Sequence, residues 1–195
     1  MGKRIILGSG ELFKVPVPSG AIADPQTYCV EANRFSHIKN GATLEYTQEK
    51  TTVEDDLGLV HKTRLNTESA KLKCGLMTLE PESLKYLSAT AGDPTNISAS
   101  GSGSSATVAK KQVKIGGIKN ESETPYLWIF HHKDDVDGDI WVVLKGNHNT
   151  GFNIQFKKDD ANVSDLEIDA QPLDDDGHKV YYYEEVKGTT PTTTP

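Results

Sequence analysis

The chain has 195 residues, of which 35% are hydrophobic and 25% charged, and its formal net charge is −7 at pH 7. These values describe a folded acidic protein, and they exclude a disordered chain and a binder that neutralises nucleic-acid phosphates with clustered Lys and Arg. No stretch approaches the roughly 20 apolar residues needed to cross a bilayer, so no membrane insertion is expected. The apolar run Ile5–Leu7 is too short for a signal peptide, which predicts a chain made and kept in a cytoplasm.

Residues 1–27 contain three prolines and no sustained hydrophobic periodicity, and we interpret them as an extended N-terminal arm. Residues 28–187 are then one β-rich domain, beginning with a strand at about 27–39. Residues 188–195 consist mainly of Thr and Pro, which predicts a flexible C-terminal tail. Cys29 and Cys74 lack metal-ligand spacing and lie in apolar alternating segments, which indicates two buried free thiols.

Residues 41–77 are predicted to form a long β-hairpin around the turn Asp55–Gly58. Its first strand starts apolar at Ala42, Leu44 and Tyr46 and then becomes polar, and the returning strand regains apolar residues only from Ala70. The half nearest the turn therefore has no core to cover, and an isolated hairpin is marginal in water. Such a ribbon usually has a partner, and the alternative is a mobile surface loop.

One α-helix is predicted at about residues 79–91, with Thr78 as a possible N-cap, Pro81 in the first turn, and an apolar stripe that includes Leu84 and Leu87. Gly92 ends it. Residues 92–106 are rich in Gly and Ser, which is the composition of a flexible loop.

Short β segments separated by turn signals follow this loop, and they indicate a sandwich or barrel. Two of them, Tyr126–Phe130 and Ile140–Leu144, are apolar on both faces, so they should be covered on both sides and bury Trp128 and Trp141. The fold class predicted from the sequence is therefore mainly β, a sandwich or barrel with one packed α-helix, a long projecting hairpin and extended terminal arms.

Two acidic rows lie on alternating strand positions. Asp165, Glu167 and Asp169 face away from the apolar residues of their strand, and Glu45 and Glu49 occupy similar positions on the hairpin. Charges at alternating positions are most often a solvated outer face, and that interpretation stays open for both rows.

No catalytic, cofactor or metal site is predicted, and we expect a protein that is not an enzyme. His131 and His132 are adjacent in a strand, so their side chains point to opposite faces and cannot easily share one ion. The acidic segment 133–139 lacks the EF-hand spacing and is predicted to be a hairpin turn, as is Asp174–Gly177. No phosphate-binding loop, nucleophile elbow or zinc-binding helix motif occurs.

The order of these features resembles the tail tube (major tail) proteins of long-tailed, non-contractile bacteriophages. The resemblance spans about residues 28 to 186 and rests on turn and strand patterns: Gly41–Lys50 leading to Val53–Gly58, the helix that begins at Leu79, Phe156–Asp160, Leu166–Ala170 and Asp174–Glu185. Contractile-tail tubes have a similar fold, and only a sheath partner would separate the two.

The resemblance implies a structural virion protein that is assembled in the bacterial host cytoplasm and located in the phage tail. Its subunits would form hexameric rings that stack into a hollow tube, and DNA would pass through the tube without specific binding. Besides other copies of itself, its partners would be the tape measure, tail terminator and distal tail proteins. The terminal arms and the Gly/Ser loop would add contacts that order on assembly.

The resemblance also suggests roles for particular residues. The tip of the hairpin would contact the adjoining ring through Glu54, Asp55, Asp56, Leu57, Gly58 and Leu59. Strands would pair with those of neighbouring subunits and remove exposed sheet edges. Either acidic row, Glu45 with Glu49 or Asp165 with Glu167 and Asp169, would line the bore and repel DNA.

The chief alternative is a carbohydrate-binding or adhesin sandwich, for example at a phage tail tip. Such a site offers exposed aromatic platforms, whereas both tryptophans fall in strands that look buried. At least one of Tyr181, Tyr182 and Tyr183 must face outward and would supply a platform, or else would pack across a subunit boundary.

Overall fold

The computed structural model describes residues 9–77, 80–102, 106–122, 124–154 and 164–187. Its elements are, in chain order, β1 Glu11–Pro16, β2 Arg34–Ser36, β3 Ile38–Glu54, β4 His61–Leu76, α1 Pro81–Leu84, β5 Thr95–Ile97, β6 Lys110–Gln112, β7 Tyr126–His132, β8 Ile140–His148, β9 Ser164–Gln171 and β10 Val180–Glu184. Short 3-10 turns occupy Pro25–Tyr28, Glu31–Asn33 and Ile118–Asn120. The prediction of a mainly β fold with a single α-helix is confirmed for the described residues.

Eight strands form one antiparallel sheet in the order β2-β1-β7-β8-β9-β4-β3, with β10 paired to β8 off this path. The sheet branches at β8. One edge of β8 pairs with β7, while the other edge pairs with β10 from Ile140 to Leu144 and with β9 from Lys145 to His148. Beyond the branch, β9, β4 and β3 form one arm of the sheet, which we call the wing, and its inner face packs in the same core cluster as β7 and β8.

Both faces of the β7–β8 pair are buried, as their continuous apolar sequences predict. One face contributes to a core cluster with residues of β1, β4 and β9, and it includes Trp128, which is 1% exposed. The opposite face packs with β1, the segment around Tyr28, and Tyr181 and Tyr183 of β10. Trp141 is on this face and is 8% exposed, so the predicted burial of both tryptophans is confirmed.

The N-terminal segment, predicted to be an arm, contains a strand of the main sheet. Residues 11–16 form β1, which pairs with β7 along its whole length, and Leu12 and Phe13 are buried. The three prolines obscured a short strand whose residues alternate between the two core clusters, and the arm assignment of residues 1–27 is corrected over this stretch. The strand predicted at about 27–39 is wrong up to Asn33, where two 3-10 turns lie, and beyond this point the short β2 and the start of β3 occupy the predicted range.

The α-helix is shorter than predicted. It covers only Pro81–Leu84 instead of about 79–91, and Tyr86 and Leu87 donate to carbonyls three residues back. Ser88 Oγ then accepts from the backbone N–H of Thr90, a local bond that competes with helix continuation. Leu87 is nonetheless fully buried, so the apolar stripe was assigned to the correct side chain. The N-cap predicted at Thr78 lies outside the described residues.

The long hairpin is confirmed. β3 and β4 pair from Ile38 and Leu76 out to Glu54 and His61, and β9 covers β4 only from Lys71 to Leu76. Residues 46–69, which we call the ribbon, are therefore paired only with each other. At about 3.3 Å per residue, the ribbon extends about 30 Å beyond the sheet.

Residues 92–122 form a second, smaller excursion, which we call the lysine hairpin. It contains the two-stranded β5–β6 sheet and is anchored near its ends, where Gly92 N–H donates to Lys114 O and Ser122 N–H donates to Ala89 O. Of its described side chains, only Pro94 and Val113 are half-buried and the rest are exposed. The predicted Gly/Ser loop is thus partly ordered as a strand, and residues 103–105 lie outside the described part, as do residues 188–195 of the predicted tail.

Candidate interaction surfaces

The ribbon has no core side of its own. Every residue from 46 to 67 is exposed, and cross-strand polar pairs connect its two strands. Thr47 Oγ1 lies 2.6 Å from Ser69 Oγ, and Thr52 Oγ1 lies 2.8 Å from Thr63 Oγ1. Bonds of this kind between exposed hydroxyls contribute little net free energy, because water replaces them when they break. The ribbon is therefore a weakly stabilised projection.

Large apolar side chains nevertheless cluster at the ribbon's tip. The exposed fractions of Leu57 and Leu59 are 78% and 77%, and those of Val53 and Val60 are 67% and 69%. Scattered exposed apolar residues are ordinary, but a group of them on the end of a projection is a candidate interaction site.

The tip also carries three carboxylates, on Glu54, Asp55 and Asp56, and none of them forms an ion pair among the described residues. Asp55 has an internal role, since its Oδ1 accepts from the backbone N–H of Val60 at 2.8 Å and closes the turn. Gly58 sits in the turn at φ +66°, a conformation that favours glycine. The turn is thus locally fixed and presents acidic and apolar groups to solvent.

The two acidic rows predicted from the sequence lie on the same face of the wing. Strand pairing places Glu45 opposite Lys71, and Lys71 opposite Asp169, while Lys73 lies opposite Glu167. Glu49 is further along the same face, where its Oε2 accepts from Thr67 Oγ1 at 3.1 Å, and Asp165 lies opposite Gly75. The other face of these strands belongs to the core.

A row of lysines that sequence reasoning missed separates the two acidic rows. Lys71 Nζ lies 2.6 Å from Glu167 Oε1 and 3.1 Å from Asp169 Oδ1, and Lys73 Nζ lies 2.8 Å from Glu45 Oε2. The hydrogen bond from Lys71 lowers the pKa of the Glu167 carboxyl, and Glu167 in turn raises the pKa of Lys71. Lys39, which lies opposite Gly75, belongs to the same face, so these five carboxylates face at least three ammonium groups and the acidity of the face is reduced and not abolished.

The outer edge of β3 is unpaired within the described part of the chain. β3 is a 17-residue strand at the end of the sheet order, with β4 as its sole strand neighbour. An edge of this length presents a row of backbone N–H and C=O groups to any other strand, and proteins usually shorten, cover or pair such edges. The β3 edge is therefore a second candidate contact surface.

A shallow aromatic groove lies where the root of the ribbon meets the loop before β10. Its lining includes Tyr46 and Tyr182, which are 51% and 52% exposed, together with Glu68 and His178. Tyr46 Oη donates to Glu68 Oε2 at 2.6 Å, and this bond raises the pKa of Tyr46. Because Tyr181 and Tyr183 pack against the core, Tyr182 is the outward-facing member of the tyrosine run.

The lysine hairpin has a charge opposite to that of the whole protein. From residue 94 to residue 120 the sequence contains four lysines and no Asp or Glu; the lysines are Lys110, Lys111, Lys114 and Lys119. Lys111 pairs with Glu82, while the other three form no ion pair within the described residues. Ile115 and Ile118, which are 49% and 87% exposed, lie among them. The sequence signal was the absence of acidic residues, which the Gly/Ser composition concealed.

The histidines have structural partners. His131 Nε2 lies 2.7 Å from Asp139 Oδ2 and its ring stacks on Trp141, whereas His132 Nδ1 lies 2.7 Å from the Ser9 carbonyl. Residues 133–139 connect β7 to β8 as a turn, as predicted, with Asp134 Oδ1 accepting from two backbone N–H groups. Across the described residues no group of three His, Cys, Asp or Glu side chains is arranged to hold a metal ion.

Comparison with known proteins gives no assignment: no family model and no curated protein matches this chain. Among the described residues, none of the helical segments has the length and apolarity required to pass through a bilayer. The functional argument therefore rests on the ribbon, the charged face, the β3 edge and the lysine hairpin.

Proposed function

We propose that this chain is the subunit of a phage tail tube, a structural protein whose rings stack into a hollow conduit for DNA. The observation that carries the proposal is the ribbon, an extension of about 30 Å that pairs with no further strand among the described residues and ends in exposed leucines and valines. Ordering such a segment costs conformational entropy, which contacts with another subunit would offset. In a tube, that subunit belongs to the adjoining ring.

The open edge of β3 supports ring formation. In the proposed ring, which the resemblance implies to be hexameric, this edge pairs with a strand of the next subunit. Pairing around the ring closes the sheets into a continuous inner barrel and leaves no strand edge free. The charged face of β3, β4 and β9 then lines the bore.

An acidic bore would suit the passage of DNA. The carboxylates of Glu45, Glu49, Asp165, Glu167 and Asp169 repel phosphates and prevent adhesion, while Lys71 and Lys73 moderate the field. In this role the protein resides in the phage tail after assembly in the host cytoplasm. The tape measure, tail terminator and distal tail proteins would be its further partners, and a non-contractile tail is the proposed setting.

The test is electron microscopy of the purified protein after concentration and incubation. We expect hollow tubes for the unmodified chain, and isolated rings or monomers for the double variant Leu57→Ser and Leu59→Ser. A matched control, Val136→Ser, removes an apolar side chain that is 82% exposed in the β7–β8 turn, and it should leave the tubes intact.

A monodisperse monomer from the unmodified chain under all conditions tried would contradict the proposed function. Tubes of normal length from the double variant would contradict the role of the ribbon tip only. Circular dichroism of each variant separates loss of assembly from loss of folding.

The aromatic groove supports a second candidate, a carbohydrate-binding or adhesin module. Tyr46 and Tyr182 offer exposed rings beside the carboxylate of Glu68, and sugars are commonly held by an aromatic platform with polar neighbours. A glycan array distinguishes the candidates: binding that disappears in Tyr182→Ala, without any tube formation by the unmodified chain, would favour the module. In the tail tube, the same tyrosines pack across a subunit boundary.

A further inference from the structure

We infer that the acidic, apolar tip of the ribbon docks on the lysine hairpin of another copy of this chain. This inference rests on the proposed stacking of subunits and names the surface that receives the ribbon. It commits to one occupant of the lysine hairpin, residues 54–60 of a second subunit.

Charge complementarity is the first argument. The tip has three carboxylates and no basic residue between positions 54 and 60, and the lysine hairpin has four lysines and no carboxylate between positions 94 and 120. In a protein of net charge −7, a basic region of this length is an exception. Opposite potentials on two surfaces steer their encounter and fix their register.

Both surfaces carry charged groups that form no ion pair within the described part of the chain, as docking of the tip on the lysine hairpin requires. Lys110, Lys114 and Lys119 have no ion-pair partner within the described part of the chain, and the same holds for Glu54 and Asp56. Lys111 differs, because it pairs with Glu82 of α1 and so connects the lysine hairpin to the domain.

Apolar exposure is the second argument, and it is independent of charge. Leu57 and Leu59 are exposed on the tip, and Ile115 and Ile118 are exposed among the lysines. Each surface thus has exposed apolar side chains with charged groups beside them, mainly carboxylates on the tip and mainly ammonium groups on the lysine hairpin, and Lys62 and Arg64 lie behind the tip. Apolar side chains with charges around them are the arrangement of an interface centre with a polar rim. Burying these side chains against each other removes apolar area from water on both copies.

The geometry of the contact has a consequence for assembly. The two surfaces belong to different elements, so the contact joins unlike patches on two identical chains. A contact between unlike patches leaves one free patch of each kind on every pair, and it propagates unless it closes into a ring. Ring stacking requires this kind of propagation.

Charge reversal tests the inference. One variant carries Glu54→Lys and Asp56→Lys, which spares Asp55 and its turn bond, and the other carries Lys110→Glu and Lys114→Glu, which spares Lys111 and its pair with Glu82. Each variant alone should fail to stack, because like charges then meet, whereas an equimolar mixture of the two should stack. Light scattering and electron microscopy measure the result.

A net-charge control makes the test specific. Lys133→Glu with Lys187→Glu, added to the reversed-tip chain itself, restores its net charge at exposed positions outside both surfaces, and this chain should remain unstacked because no acidic receiving surface is present. Rescue by this control as efficient as rescue by the lysine-hairpin variant would overturn the inference, and so would normal stacking of either single-surface variant. In those cases the unmodified chain still forms tubes, whereas failure of the proposed function itself appears as no tubes from the unmodified chain.

Discussion

The β7–β8 pair and the ribbon are both antiparallel strand pairs, yet they differ in what holds them. β7 and β8 bury both of their faces, and their side chains belong to two core clusters. The ribbon exposes both of its faces and relies on hydroxyl and carboxylate pairs between its strands. The comparison indicates that one region supplies the free energy of folding, while the other is available for contacts with other molecules.

The largest expected effect comes from the body of the sheet. Trp128→Ala removes a fully enclosed ring whose Nε1–H donates to Gly146 O at 3.0 Å, and it should lower the free energy of unfolding by about 3–5 kcal/mol. Val53→Ala in the ribbon should change it by no more than about 0.5 kcal/mol. Urea denaturation of the monomer measures both changes in the free energy of unfolding. Equal changes would contradict the difference between the β7–β8 pair and the ribbon.

A second effect concerns the point where the sheet branches. A Cβ atom on Gly146 would lie 2.0 Å from the carbonyl oxygen of Asp169, so Gly146→Ala should push β9 away from β8 and cost about 1–3 kcal/mol. Gly20→Ala is the matched control, since its Cβ would meet no atom within 4 Å. Thermal denaturation should give a clearly lower Tm for Gly146→Ala than for the unmodified chain, and an unchanged Tm for Gly20→Ala.

The charged face should give a smaller, pH-dependent effect. Because Lys71 lowers the pKa of Glu167 in the folded state, the unfolded chain takes up this proton first as the pH falls. The stabilisation is therefore complete above the ordinary value of 4.5 and is lost as the pH falls through the lowered pKa. Lys71→Met should flatten the decline of stability below that pH, and Glu54→Gln in the ribbon should not. Both partners are half-buried and remain in contact with solvent, so screening keeps the effect small.

Thiol labelling compares the accessibility of the two native cysteines with that of a cysteine placed in the ribbon tip, and it perturbs the fold least. Burial raises the pKa of Cys74 to about 12 and that of Cys29 to about 11, so both should react with iodoacetamide at pH 8 at least about tenfold more slowly than in urea. A cysteine introduced as Leu59→Cys should react in the folded monomer as fast as in urea. Slow labelling of this site in the monomer would mean that the ribbon tip is covered.

Several parts of this fold follow directly from sequence patterns. The continuous apolar runs of β7 and β8 predicted burial on both faces, and the change from apolar to polar residues after Tyr46 predicted the point where the ribbon leaves the core. β1 was missed because its strand is short and lies among prolines. The helix was predicted too long because local hydroxyl bonds near Ser88 end it early, a competition that periodicity does not reveal.

The candidate surfaces were only partly predictable. The tip residues and both acidic rows were identified from alternation, but their union into one face depends on the pairing of β4 with β9, which is a long-range contact. For the same reason the lysine row between them was invisible in the sequence. The four lysines near residue 114 do not show in the net charge of −7, because the acidic residues of the rest of the chain outweigh them.

The pairing of β1 with β7 also bears on how the chain is made. β2 to β6 lie between these partners in the sequence, so an emerging chain must expose Leu12 and Phe13 until the ribosome has released β7. We expect co-translational folding to begin late, because closing so long a loop precedes any gain from the contact. Nascent fragments that end before Tyr126 should remain fully sensitive to protease, and those that extend past Glu184 should become resistant. In the proposed assembly, a chain whose core closes only after β7 to β10 have been released would present its ribbon and its open β3 edge to other copies after that closure.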